Sequence, residues 1–154
     1  MGTVHATRSP SRTRSARSLS TAEFRDLLDQ ALSEVDADAR AGSLLRATGL
    51  RVRFRFPDLG LVLHVEPSEE GTHHLRWTFS NQVEWDPKLE LVMDSAAANA
   101  YLQGQESLAI AIARGRARFT GETRSALLYV PSLQLLVDAY RHLVRRQYPR
   151  LALG

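Results

Sequence analysis

The chain has 154 residues, 44 % of them hydrophobic and 24 % charged, with a formal net charge of +3 and no cysteine. That length suits one domain burying about two-thirds of its unfolded surface, and the missing thiol excludes disulfides, a cysteine nucleophile and cysteine-ligated metal. No apolar run approaches the ~20 residues of a membrane-spanning helix, and the positive charge is almost all arginine, Lys88 being the sole lysine.

Residues 1–19 hold Arg8, Arg12, Arg14 and Arg17 among serines and threonines, with no acid. Such a segment has too little apolar surface to fold and is expected to be a disordered basic tail. It has neither the apolar stretch of a secretory signal nor paired arginines, so a cytoplasmic location is expected. The single folded domain is expected over 20–150.

Ser20 to Glu23 reads as a capping box. Phe24, Leu27, Leu28, Ala31, Leu32 and Val35 then fall on one helical stripe. A second helical segment runs from Ala39 to Arg46 and ends near Gly49. Three alternating stretches follow, centred on Val52, Phe54 and Phe56, on Leu61, Leu63 and Val65, and on Leu75, Trp77 and Phe79. Leu89, Leu91 and Met93 make a fourth strand, and Ala117 and Phe119 alternate with Arg116, Arg118 and Thr120 in a fifth. Each strand has one apolar face, so the sheet is expected to be covered on one side and wet on the other.

Between the fourth and fifth strands, Asp94 can cap a short helix containing Ala97, Ala98, Tyr101 and Leu102, stopped by Gly104. Leu108 to Ala113 makes another helical turn, ended near Gly115. A last helix carries Leu133, Leu136, Val137, Tyr140, Leu143 and Val144, with Pro131 placed in its first turn and Pro149 at its end. The architecture expected is α+β: a five-stranded, mainly antiparallel sheet with helices packed on its apolar face.

The order strand, short helix, Gly104, short helix, Gly115-Arg-Ala-Arg-Phe-Thr-Gly121-Glu122 resembles the sterol carrier protein type 2 domain. The resemblance covers roughly residues 50–144. That family carries lysines and an aspartate where Arg116, Arg118 and Glu122 stand here, and the terminal Leu-Ala-Leu-Gly is not a peroxisomal Ser-Lys-Leu. The resemblance implies a non-catalytic lipid-binding module, without an implied cofactor. Its ligand would be sterol-like, isoprenoid or fatty acyl, held between sheet and helices.

The walls of that cavity are expected from face assignment. They are Leu61, Leu63, Trp77, Phe79, Leu91, Met93 and Phe119 from strands, with Tyr101, Leu108, Ile112, Leu133, Leu136 and Tyr140 from helices. Small residues at Ala96 to Ala100 and at Ala109, Ala111 and Ala113 leave space. Pattern alone favours a close-packed core instead; the resemblance favours the cavity. Opening is expected at the last helix or at the helices between Asp94 and Ala113, and the arginine tail could aid transient contact with a membrane surface.

Arg51, Arg53, Arg55, Arg76, Arg116 and Arg118 are expected on the wet face. The alternative reading is an accessory or scaffold protein that binds a protein partner through this basic surface. Nucleic acid is not expected as a partner, because the aromatics that would stack bases alternate onto the buried face. If Val65 pairs with His73, His64 stands opposite His74, but two imidazoles do not complete a zinc site and no metal is expected. No nucleophile elbow or phosphate-binding glycine loop occurs, so no catalytic residue is assigned.

Overall fold

The computed structural model describes residues 19–83 and 85–153. The expected basic tail therefore lies outside the described residues, apart from Leu19, whose side chain packs against the core.

Helix α1 (Thr21–Ala37) begins where the sequence pattern places it. Ser20 accepts from the Glu23 N–H at 3.0 Å, and Glu23 accepts from the Ser20 N–H at 3.1 Å. This reciprocal cap satisfies two of the donors that a helix start leaves open. Asp38 ends α1 and caps α2 (Ala39–Ala47), accepting from the N–H groups of Arg40 and Ala41.

Five strands follow: β1 (Val52–Phe56), β2 (Leu61–Pro67), β3 (Leu75–Phe79), β4 (Leu89–Met93) and β5 (Ala117–Gly121). They form one sheet in the order β3-β2-β1-β4-β5. All neighbours are antiparallel except β1 and β4, which run parallel with Val52 beside Leu89. Between β4 and β5 lie α3 (Ser95–Leu102) and α4 (Leu108–Ala113). Their caps are Asp94, accepting from Ala97 N–H, and Ser107, accepting from Ile110 N–H.

The end of the chain differs from the single last helix expected. Two helices form, α5 (Thr123–Ser132) and α6 (Gln134–Gln147), and Pro131 sits at the end of the first rather than the start of the second. A proline has no N–H for the helix ladder and clashes with the preceding turn; here it falls where α5 gives way to α6 at Leu133.

Helices α1 and α6 pack side by side over the inner face of the sheet. Phe24 meets Phe56 edge-to-face at 4.9 Å and Tyr140 at 6.3 Å, so strand and both helices share one aromatic junction. Tyr140, Phe24, Leu27, Leu63, Leu89, Leu91 and Leu143 are essentially inaccessible.

The outer face is not uniformly wet, contrary to expectation. Val62, His64 and Val92 point outward from their strands yet are buried. The chain must travel from edge strand β3 to β4 across two intervening strands, and Trp85 in that connection packs on His64 at 5.2 Å. The Arg51 guanidinium lies over the same indole.

The start of β3 is fastened to α1 by Asp36. Its carboxylate accepts from the His73 imidazole at 2.6 Å and from the backbone N–H groups of His74 and Leu75 at 2.6 and 2.9 Å. Burial pushes this carboxyl up, but those hydrogen bonds outweigh it and hold Asp36 below the ordinary aspartate value.

Candidate functional site

The space beneath the sheet is nearly full. A void of about 20 Å³ remains, lined by Leu28 of α1, Phe54 and Phe56 of β1, Leu63 of β2, Met93 of β4, Ala98, Tyr101 and Leu102 of α3, and Leu133. That is about the room one water needs, and an apolar void of this kind has no partners for a water. The roomy cavity expected from the resemblance is reduced to this small void in this conformation, with Phe24, Leu91, Leu136 and Tyr140 buried in the packed core.

A second apolar space lies outside it. Between the α3–α4 pair and the α5–α6 pair runs a groove of about 470 Å³, lined by Tyr101, Leu108, Ala109, Val130, Pro131 and Val137, with Gly104, Glu106, Ser107 and Gln134 along it. Its volume falls in the range of about 300–1,000 Å³ typical of ligand pockets. Tyr101 lines both spaces. One side chain is thus shared between the lining of the inner void and the groove wall, and burial pushes its phenol up to about 12.

Local sequence explains this placement. Asp94 starts α3, the small side chains of Ala97 and Ala98 bring the helix close to the core, and Tyr101 follows one turn later. Gly104 then reverses the chain with a φ of +74°, a region where a β-carbon is disfavoured. Tyr129 of α5 is fully buried, with its phenol also pushed upward by burial and by the neighbouring Tyr101.

Of the residues expected to form the wall, Leu63, Met93, Tyr101 and Leu133 surround the inner void, and Leu108 lies with Tyr101 in the groove. Leu91, Leu136 and Tyr140 are solid core. Leu61 and Phe79 instead border a surface depression beside α1, with Arg25 placed over the Phe79 ring. Trp77 is half-buried and donates its indole N–H to Asp29 at 2.8 Å. Ile112 and Phe119 pack at the periphery of the core. The void also takes walls that face assignment overlooked: Leu28, Phe54, Phe56, Ala98 and Leu102. Their periodicity marks them as inward-facing, but nothing in it tells which inward side chains meet a gap.

The arginine face is largely neutralised. Arg53 and Arg55 both reach Glu90, at 3.1 and 2.9 Å, and Arg51 and Arg76 both reach Glu66 at 3.5 Å. Burial raises the Glu90 carboxyl, and the two guanidinium groups more than reverse this. Arg116 turns to Glu106. The histidines do not pair as expected: His64 stands opposite Thr78, and His74 donates through its ring to the Asp36 carbonyl at 2.9 Å. The register places Val65 against Trp77, two strand positions beyond the β3 start at Leu75, so His64 and His74 are separated along the hairpin. Among the described residues no three His, Cys, Asp or Glu side chains gather as a metal site.

No family model matches the chain, and no curated protein matches it by sequence. Solved structures do match. A conserved hypothetical protein from Thermus thermophilus, described as possibly a sterol carrier protein, aligns with 84 % of this chain and 88 % of its own at 14 % identity, with a TM-score of 0.55. The ubiquinone synthesis protein UbiJ-SCP2 aligns over 75 % of this chain and 94 % of its own at 15 % identity and a TM-score of 0.54. Sterol carrier protein 2 from Yarrowia lipolytica, in its apo form, gives 73 % and 88 % coverage, 10 % identity and a TM-score of 0.51. The sec-alkylsulfatase Pisa1 from Pseudomonas matches at a TM-score of 0.48, and the chain spans only 14 % of its length. The fold is that of the sterol carrier protein type 2 domain. It is an α+β domain with a five-stranded mixed sheet.

Proposed function

We propose that this chain is a non-catalytic, cytoplasmic module that binds a hydrophobic ligand. The ligand would enter by the groove between the α3–α4 and α5–α6 pairs and extend inward when Tyr101 swings aside. The observation that carries this reading is that Tyr101 borders both the groove and the inner void. Rotation of one side chain would join them, and movement of α3 would enlarge the join.

The energetics favour such an opening. Each methylene taken from water contributes about 0.8 kcal/mol, whereas an alternative conformation commonly lies only a few kcal/mol above the ground state. Several methylenes therefore offset the cost of displacing Tyr101. The helices that border the groove carry exposed apolar side chains: Leu127 is 72 % exposed, Leu128 52 % and Ile110 46 %. Leu127 precedes Val130 and Pro131 by one turn of α5, so an apolar lip extends from the groove toward solvent. That lip supports transient contact with a lipid surface during loading. The known structures that share the fold include sterol carrier protein 2, which agrees with a lipid as the ligand class.

The alternative, capture of a protein partner on the arginine face, has less support, because Glu66 and Glu90 already occupy four of its arginines. Native mass spectrometry of protein purified without detergent tests the proposal. A retained apolar compound, released on denaturation, is expected; protein of bare mass that also fails to take up any added alkyl or polycyclic lipid contradicts it.

A further inference from the structure

His64 is buried on the outer face of the sheet, at 3 % exposure, and its two ring nitrogens stand in unlike surroundings. Nε2 lies 2.7 Å from the Ser80 carbonyl, so it carries the proton and Nδ1 keeps a lone pair. Among the described residues no group donates to Nδ1. Arg53 stands directly opposite His64 across β1 and β2, and its Nε–H is likewise buried without an acceptor. A second proton on the ring would therefore set one donor and one positive charge beside another of each.

The other groups around the ring do not relieve this. Arg55, further along β1, adds a second positive charge. Glu90 of β4 is the acid that favours a charged ring, and Arg53 and Arg55 already hold it at 3.1 and 2.9 Å. Glu66, two residues along β2, is shared by Arg51 and Arg76. Thr78, the neighbour on β3, is uncharged. Trp85 packs edge-to-face on the ring at 5.2 Å, but that indole already has the Arg51 guanidinium over it at 5.5 Å.

The same ring fastens the connection from β3 to β4. That connection is tied at its ends, where Ser80 N–H donates to the Val62 carbonyl at 3.1 Å and Lys88 N–H to the Arg51 carbonyl at 2.8 Å. Between these ties, His64 holds the Ser80 carbonyl and supports Trp85. A surface connection attached at a few points opens at far lower cost than the sheet beneath it.

We infer that His64 is an acid-operated latch: uptake of a second proton drives its ring away from Arg53, frees Trp85 and releases the β3–β4 connection while the sheet stays intact. The sign follows from burial and the two arginines, which hold the closed imidazole below 6.5, whereas the released ring titrates at its ordinary value. The closed form is therefore favoured above pH 6.5. Below it, the opening equilibrium rises by up to about tenfold per pH unit until the closed ring also accepts the proton. Glu90 keeps its charge through the upper part of this range, because its carboxyl is held below 4.5.

The chain has two tryptophans, so the full-length protein labelled with fluorotryptophan gives one fluorine resonance for Trp77 and one for Trp85, assigned with W85F. From about pH 7.5 to about pH 5, the Trp85 resonance should move toward the position of the free amino acid and gain a solvent isotope shift. Trp77 and the far-UV circular dichroism should hold. H64Q keeps an amide donor for Ser80 but takes up no proton, and its Trp85 resonance should stay fixed. R53Q removes the charge that opposes the proton and should blunt the transition. A Trp85 resonance that never moves overturns the latch. So does one that moves together with Trp77 and loss of circular dichroism, or one that moves in H64Q or R53Q as it does in the wild type. The apolar-ligand reading is unaffected by any of these results.

Discussion

The Tyr140 hydroxyl donates to Asn99 Oδ1 at 2.8 Å, joining α6 to α3 inside the core. The same oxygen accepts from Gln103 Nε2, which also donates to the Leu151 carbonyl, and Gln103 Oε1 accepts from the Leu153 N–H. One side of α3 is thus fixed to α6 and to the chain's final turn, while Tyr101 faces the groove. An opening motion of α3 would pivot about this network.

Tyr140→Phe keeps the ring in place and leaves Asn99 still bonded to Gln103. A loss of about 0.5–1.5 kcal/mol is expected in chemical denaturation. Asn99→Ala should cost more, because it leaves the buried Tyr140 hydroxyl without an acceptor, a penalty of about 1–3 kcal/mol. Equal and negligible effects from both variants would show that the network does not hold α3.

His64 should make stability depend on pH near neutrality. Burial, together with the Arg53 and Arg55 charges, holds its imidazole below the usual 6.5, although Nε2–H donates to the Ser80 carbonyl at 2.7 Å. Below pH 6.5 the unfolded chain takes up a proton that the folded chain still refuses. Stability is therefore full above that pH and is lost as pH falls toward the lower folded value. Denaturation midpoints measured from about pH 7.5 downward should show this decline, and His64→Gln should flatten it. An unchanged slope in His64→Gln would assign the pH dependence to other groups.

Gly121 is required by a close approach. Its φ is +135°, and a β-carbon there would lie 2.4 Å from the Lys88 carbonyl oxygen. Gly121→Ala should destabilise by more than about 2 kcal/mol, combining backbone strain with a clash against fixed main chain. Gly60 also has a positive φ, at 60°, but open space around it. Gly60→Ala should cost only about 1–2 kcal/mol. Thermal melts that rank the two variants the other way would contradict the packing described for β4 and β5.

These positions show what could be read from the chain itself. The α1 stripe from Phe24 to Val35, the Ser20 cap and the five alternating strands are local patterns, and each appears where its residues imply. Gly104, Gly115 and Gly121 all adopt positive φ, which gives physical content to the glycine spacing behind the family resemblance. Strand order is non-local. Nothing in the alternation of Val52 to Phe56 specifies a parallel neighbour at Leu89, and the burial of His64 beneath Trp85 follows from that order. The walls of the void were only partly legible for a related reason. Leu28 and Phe54 are marked as inward by period, but which inward residues surround a gap depends on helices packing from distant parts of the chain.

The most direct test of an apolar route behind Tyr101 uses Met93, which lines the void and is the chain's only methionine besides Met1. Carbon-13 labelling of the methionine methyl groups gives one reporter within the core. On saturation with an alkyl-chain ligand, the Met93 methyl resonance should shift and show nuclear Overhauser contacts to the ligand's methylenes, and Tyr101→Ala should speed their appearance. Saturable binding that leaves the Met93 methyl unshifted and without contact to the ligand would place the ligand elsewhere and contradict the account.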